Sequence, residues 1–394
     1  EPFAFRRQRA TIRPMPYTPR SHGFWDYTTP GTGGLERFGR DDYRWLLDDM
    51  AGAGMNSLTL VVRWLTTGYA SRLPFNDQLR DRCTPIAEGN DVLRGTITDG
   101  MERGIAVWLS ASVNIFRADR VKAKPFSSSA DIWGQKMPFE VGRYDTDQEE
   151  VCENASAMCR ELVREFPAMA GFVVEVECCG YELPHRIPLY NAWAETERRK
   201  PFAALGHPLN AREPDISDWR DFTTDNRAVL MQRLEATMRR EGFAGRLAVF
   251  CETGRQPYLI SQDVNLERFH ARCPAWEAVS YDYSYNKMRN RLGMMELAIE
   301  EPKRAGMTVH YLPRGVMTYA HPETWPFPVS LAKHWRMDLE DIERFRPDGV
   351  WWFGADCSDT GAHVQPERLR GAGFADGAAC RRALLKEIRD WQGQ

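Results

Sequence analysis

Seven times along the chain an amphipathic helical stretch ends in a short turn and runs into an apolar, strand-like segment. Residues 41–52 lead through Gly52-Ala-Gly54 into 57–64, 91–103 through Gly104 into 105–113, and 146–166 through Pro167 into 171–179. Residues 224–241 lead into 247–252, 266–272 into 278–283, 288–304 into 308–312, and 337–346 into 350–353. Ser-His-Gly-Phe-Trp-Asp-Tyr at 21–27 precedes the first helix and supplies an eighth strand, and a last helix spans 377–391. Strands that alternate with helices imply parallel βαβ units. Eight of them predict one (β/α)8 TIM barrel over the whole chain, with an N-terminal extension at 1–20. The alternative is a doubly wound parallel sheet. Thr29-Pro-Gly-Thr-Gly-Gly34 lacks the strand–turn–helix setting that a dinucleotide-binding loop requires.

The connections differ in length by direction. Helix-to-strand turns take a few residues, whereas strand-to-helix connections are long, at 64–90, 114–145, 179–222, 313–336 and 354–376. In a barrel the long set gathers at the C-terminal ends of the strands, the face where active sites of this fold lie. The same loops account for 394 residues in a fold that typically needs about 250.

Composition excludes several partners. A net charge of −3 with mixed Arg, Asp and Glu gives no basic footprint for nucleic acid. No window approaches the ~18 apolar residues of a membrane span. Nine cysteines without a CxxC pair or zinc spacing point to free thiols and a cytoplasmic protein. The chain starts at Glu1, so a cleaved signal and a secreted or periplasmic location stay open.

Gly171-Phe-Val-Val-Glu-Val-Glu-Cys-Cys179 sets Glu175 and Glu177 into a strand that otherwise reads as covered on both faces. Alternation puts both carboxylates on one face. Burying an ionised carboxylate costs several kcal/mol unless it is paired, so such a pair builds either a polar network or an active site. In the barrel, strand ends converge on one cavity. They bring His22, Trp25 and Asp26 from the first strand, Arg63 from the second, and Asn114 from just past the third. Glu252 comes from the fifth; Tyr281, Asp282 and Tyr283 from the sixth; Arg314 from the seventh; Trp352 and Asp356 from the eighth.

Carboxylates and flat aromatics with little Lys or His suit a carbohydrate substrate. Glycoside hydrolysis needs one protonated carboxyl for the leaving oxygen and a second carboxylate as nucleophile or base. Glu177, nearest the strand end, is expected to be the acid/base, and Glu175, one layer deeper, its support. Glu252 on the neighbouring strand is the expected partner, with Asp282 as the alternative. The reaction needs no cofactor and no metal. Two other readings remain. One is a metal-dependent sugar isomerase or lyase with Glu177, Glu252 and Asp282 as oxygen ligands. The other is a carbohydrate-binding barrel without catalysis.

Residues 54–64 (Gly-Met-Asn-Ser-Leu-Thr-Leu-Val-Val-Arg-Trp) resemble a second-strand signature common among barrel glycosidases. Gly171–Glu177 is similar to the fourth-strand motif of chitinase-like family-eighteen glycosidases, Asp-Gly-x-Asp-x-Asp-x-Glu. The resemblance puts Glu177 on the catalytic Glu and Glu175 on the adjacent Asp. Ser280-Tyr-Asp-Tyr283 resembles that family's sixth strand, and Gly349-Val-Trp-Trp352 its eighth, whose Trp floors the sugar site. Ala170 and Val173 stand where the motif has its other two Asp residues, and Glu175 is longer than the Asp it replaces. No Glu ends the seventh strand at 308–314, which separates the chain from the large retaining clan. The resemblance therefore implies a barrel glycosidase and does not imply chitin.

Overall fold

In a computed structural model the eight expected strands close into a barrel. The structure describes residues 17–30, 34–76, 83–132, 135–176, 185–205, 217–252, 264–281, 295–313, 315, 316, 331–356, 370 and 373–393, without the side chains of 131, 132, 135, 252, 281 and 331. The barrel strands are β1 (Ser21–Tyr27), β2 (Ser57–Arg63), β3 (Ala106–Ser112), β7 (Gly171–Glu175), β8 (Arg246–Glu252), β9 (Trp276–Tyr281), β10 (Val309–Leu312) and β11 (Gly349–Phe353). They lie parallel in chain order, and β11 returns to pair with β1, Ser21 opposite Gly349. Closure excludes the doubly wound sheet. Among the described residues no helix is long and apolar enough to cross a membrane.

Two connections carry elements that the hydrophobic pattern hid. After β3 the chain makes β4 (Ile115–Arg117), β5 (Ser127–Ile132) and β6 (Gln135–Arg143), an antiparallel sheet in the order β4-β6-β5. Ser-rich 127–129 and the proline inside β6 read as loop. After β7 a helix forms at Arg186–Thr196. The helix expected at 224–241 starts at Ser217, because its first turns bury Trp219 and Phe222 in an aromatic cluster. Within the expected helix 288–304, Glu296–Glu300 form a π-helical turn and Glu301–Arg304 the last α-turn. Pro302 there has no N–H to donate.

Ring contacts across the barrel fix which residues face inward. Trp351 stacks on His310 at 4.1 Å and 17°, lies 5.2 Å from Trp108, and lies 6.2 Å from Trp25. Residues 21, 23 and 25 of β1 and 349, 351 and 353 of β11 therefore point inside, and their neighbours point to the helix layer. Glycines make the room. A Cβ on Gly171 would sit 2.2 Å from the Trp108 ring, and one on Gly349 would sit 2.1 Å from His310 Nδ1. Large rings opposite glycines replace the branched aliphatic layers usual in this fold.

A charged network occupies the N-terminal end of the same interior. Arg246 clamps Glu277 with two bonds of 2.7 Å, and His310 Nε2 lies 2.6 Å from Glu277 Oε2. Burial pushes Glu277 up, but His310 and Arg246 outweigh it and hold the carboxyl below its ordinary value. Burial holds His310 below its ordinary value despite the pull of Glu277.

Candidate active site

Glu175 is the last residue of β7 and lies on the inner face, in line with Gly171 and Val173. It is 6% exposed. Its Oε2 accepts from Ser112 Oγ at 3.0 Å, and its carbonyl accepts from Val113 N at 2.9 Å. Both contacts come from β3 and the residue just beyond it, and they hold the carboxylate at the mouth. Val174 pairs with Val249, so Glu175 continues the register beside Phe250. Phe250 in turn lies 5.9 Å from the Trp25 ring. Trp25 and Phe250 thus form an aromatic floor next to Glu175, above the Trp351 layer.

The other expected residues are placed as follows. Glu252 ends β8, the strand paired with β7, and Tyr281 ends β9, one strand further; only their backbones are described. Glu177, Asp282, Tyr283 and Arg314 lie outside the described residues. Arg63 is fully buried, donating to the carbonyls of Trp64 and Ile115 and to Asn76 Oδ1. It braces the second and third connections. Asn114 exchanges bonds with the backbone of Tyr144 and closes the β4–β6 excursion.

Four residues depart from the expectation that strand ends converge on the cavity. His22 and Trp352 fall on the outer face of the wall, where Trp352 Nε1 donates to His22 Nε2 at 3.0 Å. The register that turns Trp351 inward turns Trp352 outward, so the ring expected to floor the site packs under the helices. Asp26 Oδ1 accepts from the backbone N–H of Tyr27 and its Oδ2 from those of Ala355 and Asp356, binding the loop after β1 to the loop after β11. Asp356 is ion-paired with Arg381, which also holds Asp49. These carboxylates shape loops at the mouth. Among the described side chains, Trp25 is the expected aromatic that the structure turns inward.

Two of these groups titrate far from their ordinary ranges. Burial pushes His22 down to about 4 and Asp26 up to about 7, against the pull of three backbone donors. A base with a depressed folded pKa contributes stability that is lost as pH falls from about 6.5 towards 4. Wild type is expected to lose on the order of 2–3 kcal/mol over that window through His22, a loss that His22→Gln does not show. Asp26 acts in the opposite sense over about pH 4 to 7, so the readout is the difference between the two proteins' urea midpoints at pH 7 and pH 4.5. An identical pH response in the variant would remove His22 as the cause.

A charged cluster not foreseen from sequence sits beside β3. His185 Nε2 lies 2.9 Å from Asp145 Oδ2, and Arg186 Nε donates to Asp147 Oδ2 at 2.6 Å. Burial pushes Asp145 up to about 6, with Asp147 adding to the shift and Arg186 and His185 opposing it. Asp145 reads as the end of the connection 114–145 and Asp147 as the first turn of the helix at 146–166, where an acid is favourable in any case. That reading masked the pairing.

No protein-family model and no curated protein matches the sequence. Solved structures do match in shape. A β-galactosidase from the haloarchaeon Halorubrum lacusprofundi gives a TM-score of 0.62 at 12% identity, over 95% of this chain and 57% of that one. A β-galactosidase from the psychrophilic Marinomonas ef1 gives 0.59 at 12% identity, over 93% and 59%. The PgaB (BpsB) glycoside hydrolase domain from Bordetella bronchiseptica gives 0.54 at 11% identity, over 85% and 93%. The likeness is one of fold. This chain spans less than three-fifths of the length of either β-galactosidase.

Proposed function

We propose that the protein is a glycoside hydrolase in which Glu177 is the general acid/base and Glu175 its anionic support. The observation that carries this reading is the placement of Glu175. A carboxylate is buried on the inner face at the C-terminal end of a barrel strand, held by Ser112, beside the Trp25–Phe250 floor. Glu177 follows two residues later in the sequence, and its role rests on the alternation read from 171–179. The fold likeness to glycosidases supports the reaction class. The family-eighteen-like motif rests on short segments of β7, β9 and β11 and supports only the roles of the two Glu residues.

The chemistry then runs through this chain's own groups. A negative Glu175 disfavours ionisation of Glu177 and keeps its proton available for the leaving oxygen. Phe250, the partly exposed ring of the pair, offers an apolar surface to a sugar ring, with Trp25 buried behind it. Glu252 is the proposed second carboxylate, because β8 adjoins β7 and adjacent strands lie about 4.8 Å apart. That spacing suits the ~5–5.5 Å of a retaining pair. Asp282, following β9, suits the wider ~6.5–9.5 Å of an inverting pair.

The test is turnover of a panel of aryl glycosides and oligosaccharides by wild type and Glu177→Gln. The variant is expected to lose about a thousandfold or more in kcat, with its melting temperature within about 2 °C of wild type. Wild-type turnover in the variant would sink the assignment. The anomer first formed, read by NMR, then separates Glu252 from Asp282.

A further inference from the structure

The charged cluster beside β3 joins two parts of the molecule that have separate apolar cores. Tyr190, Ala194, Trp219 and Phe222 form a small cluster of their own, with Trp193 and Phe202 packed on it, apart from the barrel core. Helix Ser217–Arg240 belongs to both. Its first turns carry Trp219 and Phe222, and Leu230, Met231 and Leu234 enter the barrel core. Arg186, at the start of helix Arg186–Thr196, is only 2% exposed. Its guanidinium carbon lies 5.3 Å from the rings of both Trp219 and Phe222, while Nε binds Asp147.

A buried guanidinium is costly to desolvate unless each of its faces finds a partner. Two ring faces and a carboxylate satisfy a planar fork in a way an ammonium cannot reproduce. The partner carboxylate belongs to the barrel rim. A continuous chain of contacts runs from Glu175 through Val113 and Asn114 to Tyr144, and Asp147 lies three residues on. Helices that follow barrel strands begin at the C-terminal face, so the aromatic cluster stands on the side of the barrel where the site opens.

We propose that Arg186 is a positioning residue that docks this aromatic module on the third connection. The module becomes a fixed wall of the cleft and sets affinity for sugar units beyond the one at the reacting bond. The substrate part rests on the glycosidase reading, whereas the docking part does not. A movable lid would return the cation to water with each opening; here its partners lie on both sides of the joint.

Hydrogen exchange and kinetics on Arg186→Met and Asp147→Asn test both parts. Amides of Arg186–Thr196 and of the first turns of Ser217–Arg240 are expected to exchange about tenfold faster or more, with β1, β7 and β11 holding wild-type protection. The KM for oligosaccharides is expected to rise about tenfold more than the KM for p-nitrophenyl glycosides of the same single sugars, with kcat changing in neither. Unchanged exchange in both variants overturns the docking, as does a uniform rise across the barrel. Equal KM changes on the two substrate classes overturn the role in affinity. A wild type that cleaves no glycoside removes the glycosidase reading and the cleft role with it, while exchange still decides the docking. Asp147→Asn keeps both ring contacts, so it carries the test if Arg186→Met does not fold.

Discussion

Glu277→Ala is expected to lower the stability of the protein by about 3 kcal/mol, read as a fall in the urea midpoint at constant slope. The carboxylate joins β9 to β8 through Arg246 and to β10 through His310 inside the barrel. Removing it leaves His310, fully buried, without its partner at Nε2; His310 Nδ1 already has none. The Arg246 side chain is 50% exposed and can return to water, so the figure belongs at the low end of the range for broken buried pairs. Glu277→Gln, which keeps an acceptor and loses the charge, is expected to cost about half as much. A loss under about 1 kcal/mol in Glu277→Ala would mean that the pair contributes no more than a surface ion pair.

Gly23→Ala is expected to do more damage, preventing accumulation of folded protein or costing more than about 4 kcal/mol. A Cβ at Gly23 would lie 1.5 Å from the Ser57 carbonyl oxygen. The obstacle is backbone of the neighbouring strand, so no side-chain rotation relieves it. Relief would require β1 and β2 to part where Gly23 pairs with Ser57, and Trp351 occupies the other side of the same position. Gly52→Ala is the matched control. It lies exposed at the end of helix Arg40–Gly52 with nothing within 4 Å of its Cβ, and the change is expected to add about 0.5–1 kcal/mol. Similar yields and midpoints for the two variants would show that the barrel tolerates a methyl group between β1 and β2.

The barrel was legible because its signal is periodic and repeated. Each strand is an apolar run closed by a turn residue, and the long connections fall in one direction only. The β4–β6 sheet was not legible, since Ser127-Ser-Ser129 carry loop chemistry and pair only because β6 lies alongside them, and Pro138 interrupts β6 between its paired residues Lys136 and Val141. The site was partly legible. Alternation placed Glu175 inside from sequence, because a carboxylate flanked by valines in a doubly covered strand has no solvent face to turn to. The same alternation, applied strand by strand, turns His22, Asp26 and Trp352 outward. Their chemistry suits a sugar site, but their parity puts them in the wall. Arg186 and Asp147 were hidden for another reason: a charge buried by partners distant in sequence looks in the sequence like any surface charge.

The rings of Trp108, His310 and Trp351 are each no more than 1% exposed. They stopper the barrel at the end opposite Glu175. Closed beneath by those rings, the site at Glu175 is reached from the mouth alone. On the proposed reading, the spent sugar leaves by the doorway the next substrate needs, so traffic through the enzyme is single-file. Product should then inhibit in strict competition with substrate, and the rate at which the doorway clears becomes a ceiling on turnover.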